Sequence, residues 1–340
     1  MEVVDLAEVP SARYDAFLLG QPGAMLYHST PYMTLLTDLL GCAQRGALAI
    51  DGGEIVGAIP LMQMDGPHGR VINSLPFYGS HGGIVATRPD ARAALARRYR
   101  EMFSEPGLAS ATVIGTPLEP GGSLDGITGD LTDARIGQLT PLDAAKAGRD
   151  GLMDSIHSKT RNMVRKAAST GVEVAVDCSA LGELAAIHAD NMATIGGRPK
   201  PDEFFDLVPR RFAEGREWAV FTGRLHGEVV AALLVFYFNG IAEYFTPAVR
   251  EEHRSSQALS LVVFEAIRDA ARRGMRWWNW GGTWSSQESV HRFKSRWGTV
   301  DLPYEYRTTV VDRRLLDLSA DDLLRSYPFF YVLPFGALHG

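Results

Sequence analysis

The sequence is poor in cysteine and contains no long uninterrupted hydrophobic run. Cys42 and Cys178 are its only cysteines, and their separation does not fit the close ligand spacing of a zinc site. They are also too few for the disulfide framework of a small secreted protein. No window offers the roughly 18 apolar residues of a membrane-spanning helix, and residues 1–6 carry acids where a secretory signal carries basic residues. These absences predict a cytoplasmic protein without a metal site.

Positive charge is not in excess either. Lysine and arginine total 34 against 40 acidic residues, which gives a formal net charge of −6. This balance argues against a surface uniformly built for nucleic acid but leaves local cationic patches open. The sequence also lacks the Gly-x-Ser-x-Gly elbow, the His-Glu-x-x-His pair, the phosphate-binding loop and the dinucleotide fingerprint. Serine hydrolases, common zinc hydrolases, nucleotide kinases and nicotinamide enzymes are therefore not leading hypotheses.

The best-defined secondary-structure pattern lies in the second half. The chain has 340 residues, 46% of them hydrophobic, which favours two folded domains. Residues 217–225 and 228–238 have strand patterns, and the following Asn239-Gly240 pair is a strong hairpin signal. After a third strand, apolar residues recur at helical spacing from Leu259 to Ala270, and a further strand follows at residues 275–280. This order is the central order of elements in a GNAT acyltransferase.

The first half repeats this order. Strand patterns at residues 47–51 and 54–64 lead to a glycine-rich loop, a helix pattern at 91–103 and a strand pattern at 110–115. The offset between corresponding elements is nearly constant, which indicates a duplicated unit. We therefore predict an α+β fold of two tandem GNAT-like domains with mixed, mainly antiparallel sheets. A stretch rich in glycine, proline and aspartate at residues 118–133 predicts the link between them, with domains at 1–150 and 151–340.

The entry to the second-half helix departs from the usual coenzyme A site. An ordinary GNAT domain binds the pyrophosphate on backbone N–H groups of a glycine-rich turn at a helix N-terminus. Here residues 250–259, REEHRSSQAL, keep Arg254 and the helix start but contain no glycine. We therefore expect weak coenzyme A binding. The alternative interpretation is an ordinary loop that Ser255 or Ser256 caps.

Several longer motifs follow one another along most of the chain. They are SLPFYGSHGG (74–83), SKTRNMVRKAASTGVEV (158–174), HRSSQAL (253–259), NWGGT (279–283) and RFKSRWG (292–298). Together they resemble the Fem family of peptidoglycan-bridge aminoacyltransferases, which are tandem GNAT-like proteins. The resemblance implies transfer of an aminoacyl group from aminoacyl-tRNA, or of another activated acyl group, to an amine. It also implies that the first domain is the acceptor side and the second the donor and catalytic side.

Lys294 is the residue to which we assign the central chemical role. Fem-like enzymes carry a Phe-Lys pair at this place, and Phe293-Lys294 matches it. Amide formation passes through an oxyanion, and a cation beside that oxygen stabilises the charge as it develops. The resemblance implies that Phe293 packs against the acyl donor. The alternative interpretation, from composition alone, is an exposed lysine on a helix.

Further residues are predicted to bind substrate. Arg161 and Arg165 share one helix face and, with Lys159 and Lys166, offer cations to phosphate oxygens of tRNA, a nucleotide sugar or a lipid diphosphate. A merely solvated face is the alternative. Five of the six tryptophans lie in residues 277–297, which predicts a pocket wall, with core packing as the alternative. The resemblance implies that Ser74 and Phe77 belong to the acceptor-side loop and that Arg198 binds phosphates of the acceptor. The other predicted binding residues are Tyr244, Arg254, Asn279 and Trp284.

Two features of the first half and the C-terminus leave alternatives open. Lone histidines such as His28 and His81 are usually structural, and we assign neither to catalysis. The apolar tail at residues 326–340 contains Pro328 and Pro334 and is too short to span a bilayer. It either docks on the protein's own surface or makes peripheral contact with a membrane or a partner chain.

The sequence thus predicts an N-acyltransferase that forms an amide. The expected donor is aminoacyl-tRNA, and the expected acceptor is an amine of a cell-envelope or secondary-metabolite precursor, either a phosphate-bearing small molecule or a lipid-linked one. No cofactor is expected beyond the donor itself. The alternatives are an acyl-coenzyme A dependent N-acyltransferase and a catalytically silent binding protein that kept the fold.

Overall fold

A computed structural model of the chain describes residues 1–79, 81–119, 122–143, 148–334 and 336. The chain forms two compact units: unit 1 comprises Met1–Ile136 and Pro303–Gly340, and unit 2 comprises Gly137–Leu302. The C-terminal segment that we predicted to belong to the second domain therefore belongs to unit 1. The first change of unit also falls 14 residues before the predicted boundary at residue 150.

Unit 1 is built from short strands and helices. Its elements are β1 (Glu2–Asp5), α1 (Ser11–Leu19), α2 (Thr30–Leu40), β2 (Ala43–Gln44), β3 (Ala47–Asp51), β4 (Glu54–Ile59), β5 (Met62–Gly66), β6 (Gly69–Asn73), β7 (Val85–Ala86), α3 (Pro89–Glu101), β8 (Leu108–Ile114) and α10 (Ala320–Ser326). Strands β9 (Leu131–Pro141) and β15 (Val300–Val310) each contain a change from one unit to the other.

The strands of unit 1 form two sets of hydrogen-bonded neighbours. One has the order β1-β3-β4-β7, and the other contains β15-β8-β6-β5-β2. We predicted residues 54–64 as one strand, but Pro60 separates β4 from β5 because it has no N–H to donate to a ladder. Helix α3 begins with Pro89 at its first position and packs Leu95 and Tyr99 into the core.

Unit 2 contains a longer sheet and the helices that cover it. Its elements are α4 (Arg149–Ser155), α5 (Ser158–Ser169), β10 (Glu173–Val176), α6 (Leu181–Thr194), α7 (Asp202–Arg211), β11 (Trp218–Leu225), β12 (Glu228–Phe238), β13 (Ile241–Val249), α8 (Ala258–Arg272), β14 (Trp277–Thr283) and α9 (Glu288–Ser295). The strand order is β10-β11-β12-β13-β14, antiparallel except for the parallel pair β13-β14.

Local sequence explains these elements well. Strand β12 has the bounds that the apolar pattern predicts, and its turn to β13 uses Asn239 and Gly240, which both have positive φ (48° and 76°). Helix α8 buries residues at the predicted helical spacing, among them Val263 and Ile267, against the sheet. Gly274, at φ +77°, follows the end of that helix.

The repeat that the sequence predicts is present. Strand β11 begins 171 residues after β3, and both α8 and β14 begin 169 residues after their counterparts α3 and β8. In each unit the helix lies in the chain between two parallel strands: β6 and β8 pair in parallel in unit 1, as β13 and β14 do in unit 2. The tandem arrangement of GNAT-like α+β units with mixed sheets is therefore confirmed.

The predicted interdomain link is a packed part of unit 1. Within residues 118–133, Ile127 is 1% exposed and belongs to the unit 1 core. Arg307 donates to the carbonyl oxygens of Leu124 (3.3 Å) and Ile127 (2.8 Å). Residues 120 and 121 of this stretch lie outside the described residues. The described part of this stretch is therefore a packed loop and not a linker.

The described part of the C-terminal tail docks on unit 1. The Tyr331 N–H donates to the Pro76 carbonyl (2.8 Å), and the Asn73 amide donates to the Tyr331 carbonyl (2.9 Å). Apolar side chains of the tail are buried, including Phe330 and Leu333. Residues 335 and 337–340 lie outside the described residues. For the described tail, docking on the protein's own surface is thus the interpretation that the contacts favour.

Among the helices described, none combines the length and the apolar character that a bilayer-spanning segment requires.

Candidate active site

The sheet of unit 2 opens into a fork between β13 and β14. Their parallel register runs from Ile241–Trp277 to Glu243–Asn279, although both strands continue beyond it. Strand β13 also contains a bulge: Leu234 of β12 pairs with Thr246, but the next residue of β12, Val235, pairs with Tyr244. A bulge leaves its extra residue outside the regular ladder and bends the strand. The rings of Tyr244 and Trp280, 4.9 Å apart, lie just beyond the last parallel pair.

A cavity of about 180 Å³ lies at the N-terminus of α8. Met163 of α5, Val249 at the end of β13 and Phe293 of α9 contribute to its wall. Phe293 also packs edge-on against Trp280, with ring centroids 6.0 Å apart. The Phe293 ring therefore connects the cavity to the fork.

Lys294, the residue after Phe293, is buried and not exposed as the composition-based alternative expects. Lys294 is only 6% exposed. Its Nζ donates to the Gly281 and Gly282 carbonyls (both 3.2 Å) and to the Thr283 hydroxyl (2.8 Å). Among the described residues, no carboxylate forms an ion pair with this ammonium. Burial lowers the pKa of Lys294 to about 8, because desolvation disfavours the charged form. The ammonium is thus held by weak neutral acceptors.

The Thr283 hydroxyl links Lys294 to a buried amide. It donates to Gln138 Oε1 (3.3 Å), and Gln138 Nε2 donates to the His291 carbonyl (3.2 Å) and Ser295 Oγ (3.1 Å). His291 and Ser295 lie on the same helix as Lys294. This network fixes α9 against β9 and β14 and so fixes the direction of the lysine side chain.

The entry to α8 replaces the expected glycine with a strained residue. Residues Glu251–Ser256 form a 3-10 helix, and Gln257 then adopts a left-handed conformation at φ +63°. Ser256 Oγ accepts from the Ala258 N–H (3.2 Å), and the Ser260 N–H donates to the Gln257 carbonyl (2.9 Å). Two donors of the first helical turn are therefore satisfied within the protein, which leaves fewer for a pyrophosphate.

This occupied helix start makes a prediction about coenzyme A. Titration calorimetry of the protein with coenzyme A should show no binding at micromolar concentration, because a pyrophosphate needs close backbone approach and unpaired N–H groups. Gln257→Gly, which restores a glycine at the left-handed position, is the matched variant and should bind more tightly than the parent. Micromolar binding to the parent that acetyl-coenzyme A displaces would contradict this expectation.

The predicted cationic face on α5 is only partly available. Arg161 is half-buried, and its Nη1 donates to the carbonyls of Ile156 (2.7 Å) and Met153 (3.3 Å), so part of its guanidinium holds the end of α4. Arg165 is exposed, as predicted. Lys159 and Lys166 lie four residues before and three after Met163, which lines the cavity, and so share its helix face.

Arg254 and Arg198 complete the predicted cationic residues. Arg254 lines the cavity and also pairs with Glu251 at 3.0 Å, with both side chains about half exposed. Such an exposed pair is weak and exchanges partners readily. Arg198 is exposed in the segment between α6 and α7. The cations near the cavity mouth are therefore Lys159, Lys166 and Arg254.

Most of the tryptophan cluster is core. Trp278, Trp280 and Trp297 are at most 3% exposed and belong to the unit 2 core, which fits the core-packing alternative. Trp284 differs, because 39% of its surface is exposed just after β14. Burial also raises the pKa of Tyr244, which packs on Trp278 and Trp280.

Glu243 is a buried carboxylate that the sequence interpretation missed. It is 2% exposed, and Oε2 accepts from the Asn279 side-chain amide at 2.8 Å. The other end of that amide accepts from the Gly281 N–H (2.9 Å), so Asn279 orients Glu243 and the β14 backbone. From the sequence, Asn279 is placed among the substrate-binding residues and Glu243 is given no role. The signal in the sequence is an acid inside the otherwise apolar strand pattern IAEYF.

A second buried lysine lies between α6 and α7. Lys200 is 8% exposed, and its Nζ lies 5.2 Å from the centroid of the Phe245 ring. Its backbone N–H donates to His188 Nε2 (3.2 Å). Burial lowers the pKa of Lys200 to about 7. Burial, and then the Lys200 charge, lower the pKa of His188 to about 4. These groups lie on the elements that flank β13 but outside the cavity.

Lys200 gives the protein a predictable pH dependence of stability. The pKa of a lysine in an unfolded chain is about 10.4. Between pH 7 and about 10.4, the unfolded chain therefore carries a proton on Lys200 that the folded chain has lost. The free energy of unfolding should rise with pH there by up to about 1.4 kcal/mol per pH unit, and Lys200→Met should remove this slope between pH 7 and 8. Urea unfolding at several pH values measures it. The exposed Lys159→Met is the control, and an unchanged slope in Lys200→Met would contradict the assignment.

The predicted acceptor-side residues of unit 1 are buried. Ser74 Oγ accepts from the Ile114 N–H (2.9 Å) and so links β6 to β8. Phe77 packs edge-on against Tyr78 (4.9 Å between centroids), which is 38% exposed. Residue 80 of the glycine-rich loop lies outside the described residues. Ser74 therefore has a structural contact, and the exposed aromatic surface of this loop belongs to Tyr78.

The two histidines fit the structural interpretation. His28 and His81 are both fully buried. Burial lowers the pKa of His28 to about 4, and its Nδ1 accepts from the Met25 N–H (3.1 Å). His81 packs edge-on against Tyr304 with centroids 4.4 Å apart. Within the part of the chain that the structure describes, no three His, Cys, Asp or Glu side chains converge as a metal site.

Comparisons with known protein families and solved structures agree with the GNAT-like fold described above. Residues 155–295 match the family model of the acetyltransferase (GNAT) domain. The structure is similar to that of FemX, with a TM-score of 0.71 and 15% identity over 93% of this chain and 98% of that one. A search of curated protein sequences finds no match.

Two further solved structures share the fold. The C-terminal domain of a putative lysylphosphatidylglycerol synthetase from Agrobacterium fabrum has a TM-score of 0.56 and 13% identity, over 94% of this chain and 99% of that one. A tandem GNAT protein from the clavulanic acid biosynthesis pathway has a TM-score of 0.52 and 15% identity, over 91% and 98%. Unit 2 thus carries a GNAT acyltransferase domain, and the chain as a whole has the Fem-like tandem GNAT fold that its motifs predict.

Proposed function

We propose that this protein is an N-acyltransferase that forms an amide bond at the fork of unit 2, with Lys294 beside the reacting carbonyl. The observation that carries the proposal is a buried ammonium whose partners among the described residues are neutral acceptors, next in sequence to a phenylalanine that lines a cavity. An oxyanion competes well for such a cation, because a charge-assisted hydrogen bond is stronger than one to a neutral carbonyl. The two 3.2 Å contacts are the ones it replaces.

In the proposed reaction the amine nitrogen bonds to the carbonyl carbon of an ester donor. The ester C–O bond then breaks, and the proton of the amine passes to the leaving oxygen. Glu243 is the carboxylate that we assign to this proton transfer, because Asn279 orients it at the last parallel pair of the fork. Its isosteric variant Glu243→Gln removes the base and keeps a side chain that still reaches Asn279.

For the donor we propose aminoacyl-tRNA. The glycine-free entry to α8 disfavours a pyrophosphate, whereas Lys159, Lys166 and Arg254 offer side-chain cations near the cavity to the phosphates of an RNA end. Such a donor also places the reaction in the cytoplasm. An acyl-coenzyme A donor is the second candidate, favoured by the match of residues 155–295 to an acetyltransferase domain.

For the acceptor we propose an amine of a cell-envelope or secondary-metabolite precursor, either a phosphate-bearing small molecule or a lipid-linked one, held by unit 1. The names of the similar structures support this class: FemX, the C-terminal domain of a putative lysylphosphatidylglycerol synthetase, and a protein of the clavulanic acid biosynthesis pathway. The exposed Tyr78 offers an aromatic surface beside the glycine-rich loop for such a molecule.

The experiment compares the two donors directly. The purified protein is incubated with bulk tRNA charged with radiolabelled amino acids, or with a panel of acyl-coenzyme A thioesters, in the presence of amine acceptors. We expect alkali-stable labelled product from charged tRNA and none from the thioesters, since an amide survives alkali whereas the starting ester does not. Product from thioesters alone would favour the second candidate. A protein that binds acceptor but turns over neither donor would be a silent binding protein, and the proposal would be wrong.

A further inference from the structure

The cavity beside Phe293 has a chemical character that restricts its occupant. Its wall contains the apolar side chains of Met163, Val249, Leu259, Val263 and Phe293, together with Ala258. Among the described residues that line it, there is no aspartate or glutamate. A charged or strongly polar group placed there would lose its hydration without gaining an ionic partner, which is costly. The wall therefore favours an apolar occupant.

The side-chain amide of Gln257 and the guanidinium of Arg254 in the wall already have contacts within the protein. Gln257 Nε2 donates to the Arg254 carbonyl (3.1 Å), and the Arg254 guanidinium pairs with Glu251. The backbone N–H of Ser260, which also lines the cavity, donates to the Gln257 carbonyl (2.9 Å). Because Arg254 is about half exposed, its cation belongs to the mouth of the cavity and not to its interior.

The size of the cavity narrows the occupant further. Its volume is about 180 Å³. Engineered apolar cavities of about 150 Å³ in other proteins stay dry and bind benzene, whereas drug-sized ligands occupy roughly 300–1,000 Å³. A nucleoside or a long acyl chain therefore exceeds this space. A branched or aromatic group of four to seven carbon atoms, by the same comparison, fills it in rough terms.

We propose that the cavity is a specificity pocket for the apolar side chain of the transferred acyl group, of the size of leucine, methionine or phenylalanine. This inference rests on the proposed function, because it takes the reacting carbonyl to lie beside Lys294 and the carrier to lie outside, toward the cations of the mouth. Phe293 connects the two places, since it lines the cavity and packs on Trp280 at the fork. Glycyl and acidic donors leave the pocket empty or bury an unpaired charge in it.

Small neutral probes test the pocket without any assumption about the carrier. The N-acetyl amides of leucine, methionine and phenylalanine are titrated into protein with labelled methyl groups, alongside N-acetylglycinamide and N-acetylglutamic acid amide. We expect the three apolar probes to shift the methyl resonances of Val249, Leu259 and Val263, and to bind at least roughly tenfold more tightly than the other two. Equal binding of the glycine probe, or shifts located elsewhere, would overturn the proposal.

Two variants fill the pocket from opposite sides. Val263→Phe adds bulk from α8, and Met163→Trp adds it from the half-buried rim on α5 and carries less risk for folding. Both should lower the affinity of the leucine probe at least roughly tenfold. Val300→Phe, at a residue of unit 2 that is 39% exposed and outside the cavity wall, is the control and should bind the probe like the parent. Retained binding in Met163→Trp would contradict the assignment.

The pocket and the proposed function fail in different ways. If no donor supports acyl transfer but the apolar probes bind and the filling variants block them, the function is wrong and the pocket is real. If transfer occurs but charged tRNAs carrying glycine and leucine react equally well, the function stands and the pocket assignment is wrong. We expect leucyl over glycyl transfer by about a hundredfold, since each buried methylene contributes roughly a factor of four.

Discussion

Lys294→Met should lower the single-turnover rate of acyl transfer by roughly a hundredfold to a thousandfold, which is the usual loss when one oxyanion contact is removed. Methionine keeps much of the aliphatic stem and removes the charge. In the variant, the Gly281 and Gly282 carbonyls and the Thr283 hydroxyl lose the lysine as a hydrogen-bond donor. The Thr283 hydroxyl keeps its contact with Gln138. The measurement compares rates at saturating donor and acceptor.

The folded state of Lys294→Met should be at least as stable as the parent near neutral pH. A buried lysine with a lowered pKa carries a desolvation cost that methionine does not have. Melting temperatures recorded beside the rates separate the two effects, and Arg325→Met, which removes an exposed cation of unit 1, serves as the control. A variant that keeps most of its rate would show that Lys294 is not the oxyanion contact. Should Lys294→Met unfold, Lys294→Gln with the same two measurements provides the comparison.

The pH dependence of the rate gives an independent readout of the same residue. With a pKa of about 8, Lys294 loses its ammonium as the pH rises through 8, and the rate should fall there. The free energy of unfolding should change in the opposite direction to the rate. Above pH 8 the folded protein no longer carries the buried charge, whereas the unfolded chain keeps its proton up to about pH 10.4, so the folded state gains stability as the pH rises. Activity should thus decline while stability rises over the same pH interval.

Breaking the buried ion pair of unit 1 should have the largest effect on stability. Arg92 Nη2 lies 2.8 Å from Glu119 Oε1, with side chains only 6% and 5% exposed, and Arg92 Nη1 also donates to the Gly122 carbonyl (3.2 Å). Glu119→Leu leaves the guanidinium charge buried without its partner. We expect a loss of about 3–5 kcal/mol in the free energy of unfolding, measured by urea denaturation.

A double variant distinguishes an ion pair from simple packing. Arg92→Met with Glu119→Leu replaces both charges by apolar groups and should recover most of the loss, because paired removal leaves no uncompensated charge. Arg325→Met, which removes an exposed pair with Asp322, should change stability by less than about 1 kcal/mol. A double variant as unstable as the single one would contradict the electrostatic explanation.

The fold was largely predictable where local patterns and burial agree. Strand β12 and helix α8 have strong periodicity, a hairpin turn and a glycine at the helix end, so each level of the sequence points to the same element. Residues 54–64 have an equally apolar pattern, but Pro60 interrupts it. The Gly, Pro and Asp content of residues 118–133 indicates turns correctly, yet it cannot show that Ile127 packs into the core.

The candidate site was predictable through its motif and not through its contacts. The Phe-Lys pair points to Phe293, which lines the cavity, and to Lys294, whose ammonium contacts residues 281–283 of β14. Sequence could not reveal that Lys294 is buried on neutral acceptors, because those acceptors are mostly backbone carbonyls. Nor could it show that Arg161 holds a helix end or that Asn279 orients Glu243, since both depend on residues brought together by the fold.

The most direct test of the account is a crystal structure with a non-reactive donor. The ligand is an adenosine that carries leucine through a 3′-amide in place of the ester, so it mimics the charged end of tRNA but cannot transfer. We predict its carbonyl oxygen within roughly 2.7–3.2 Å of Lys294 Nζ and its leucyl side chain in the cavity beside Phe293. The account is contradicted if the ligand binds elsewhere while Lys294 remains on the Gly281 and Gly282 carbonyls.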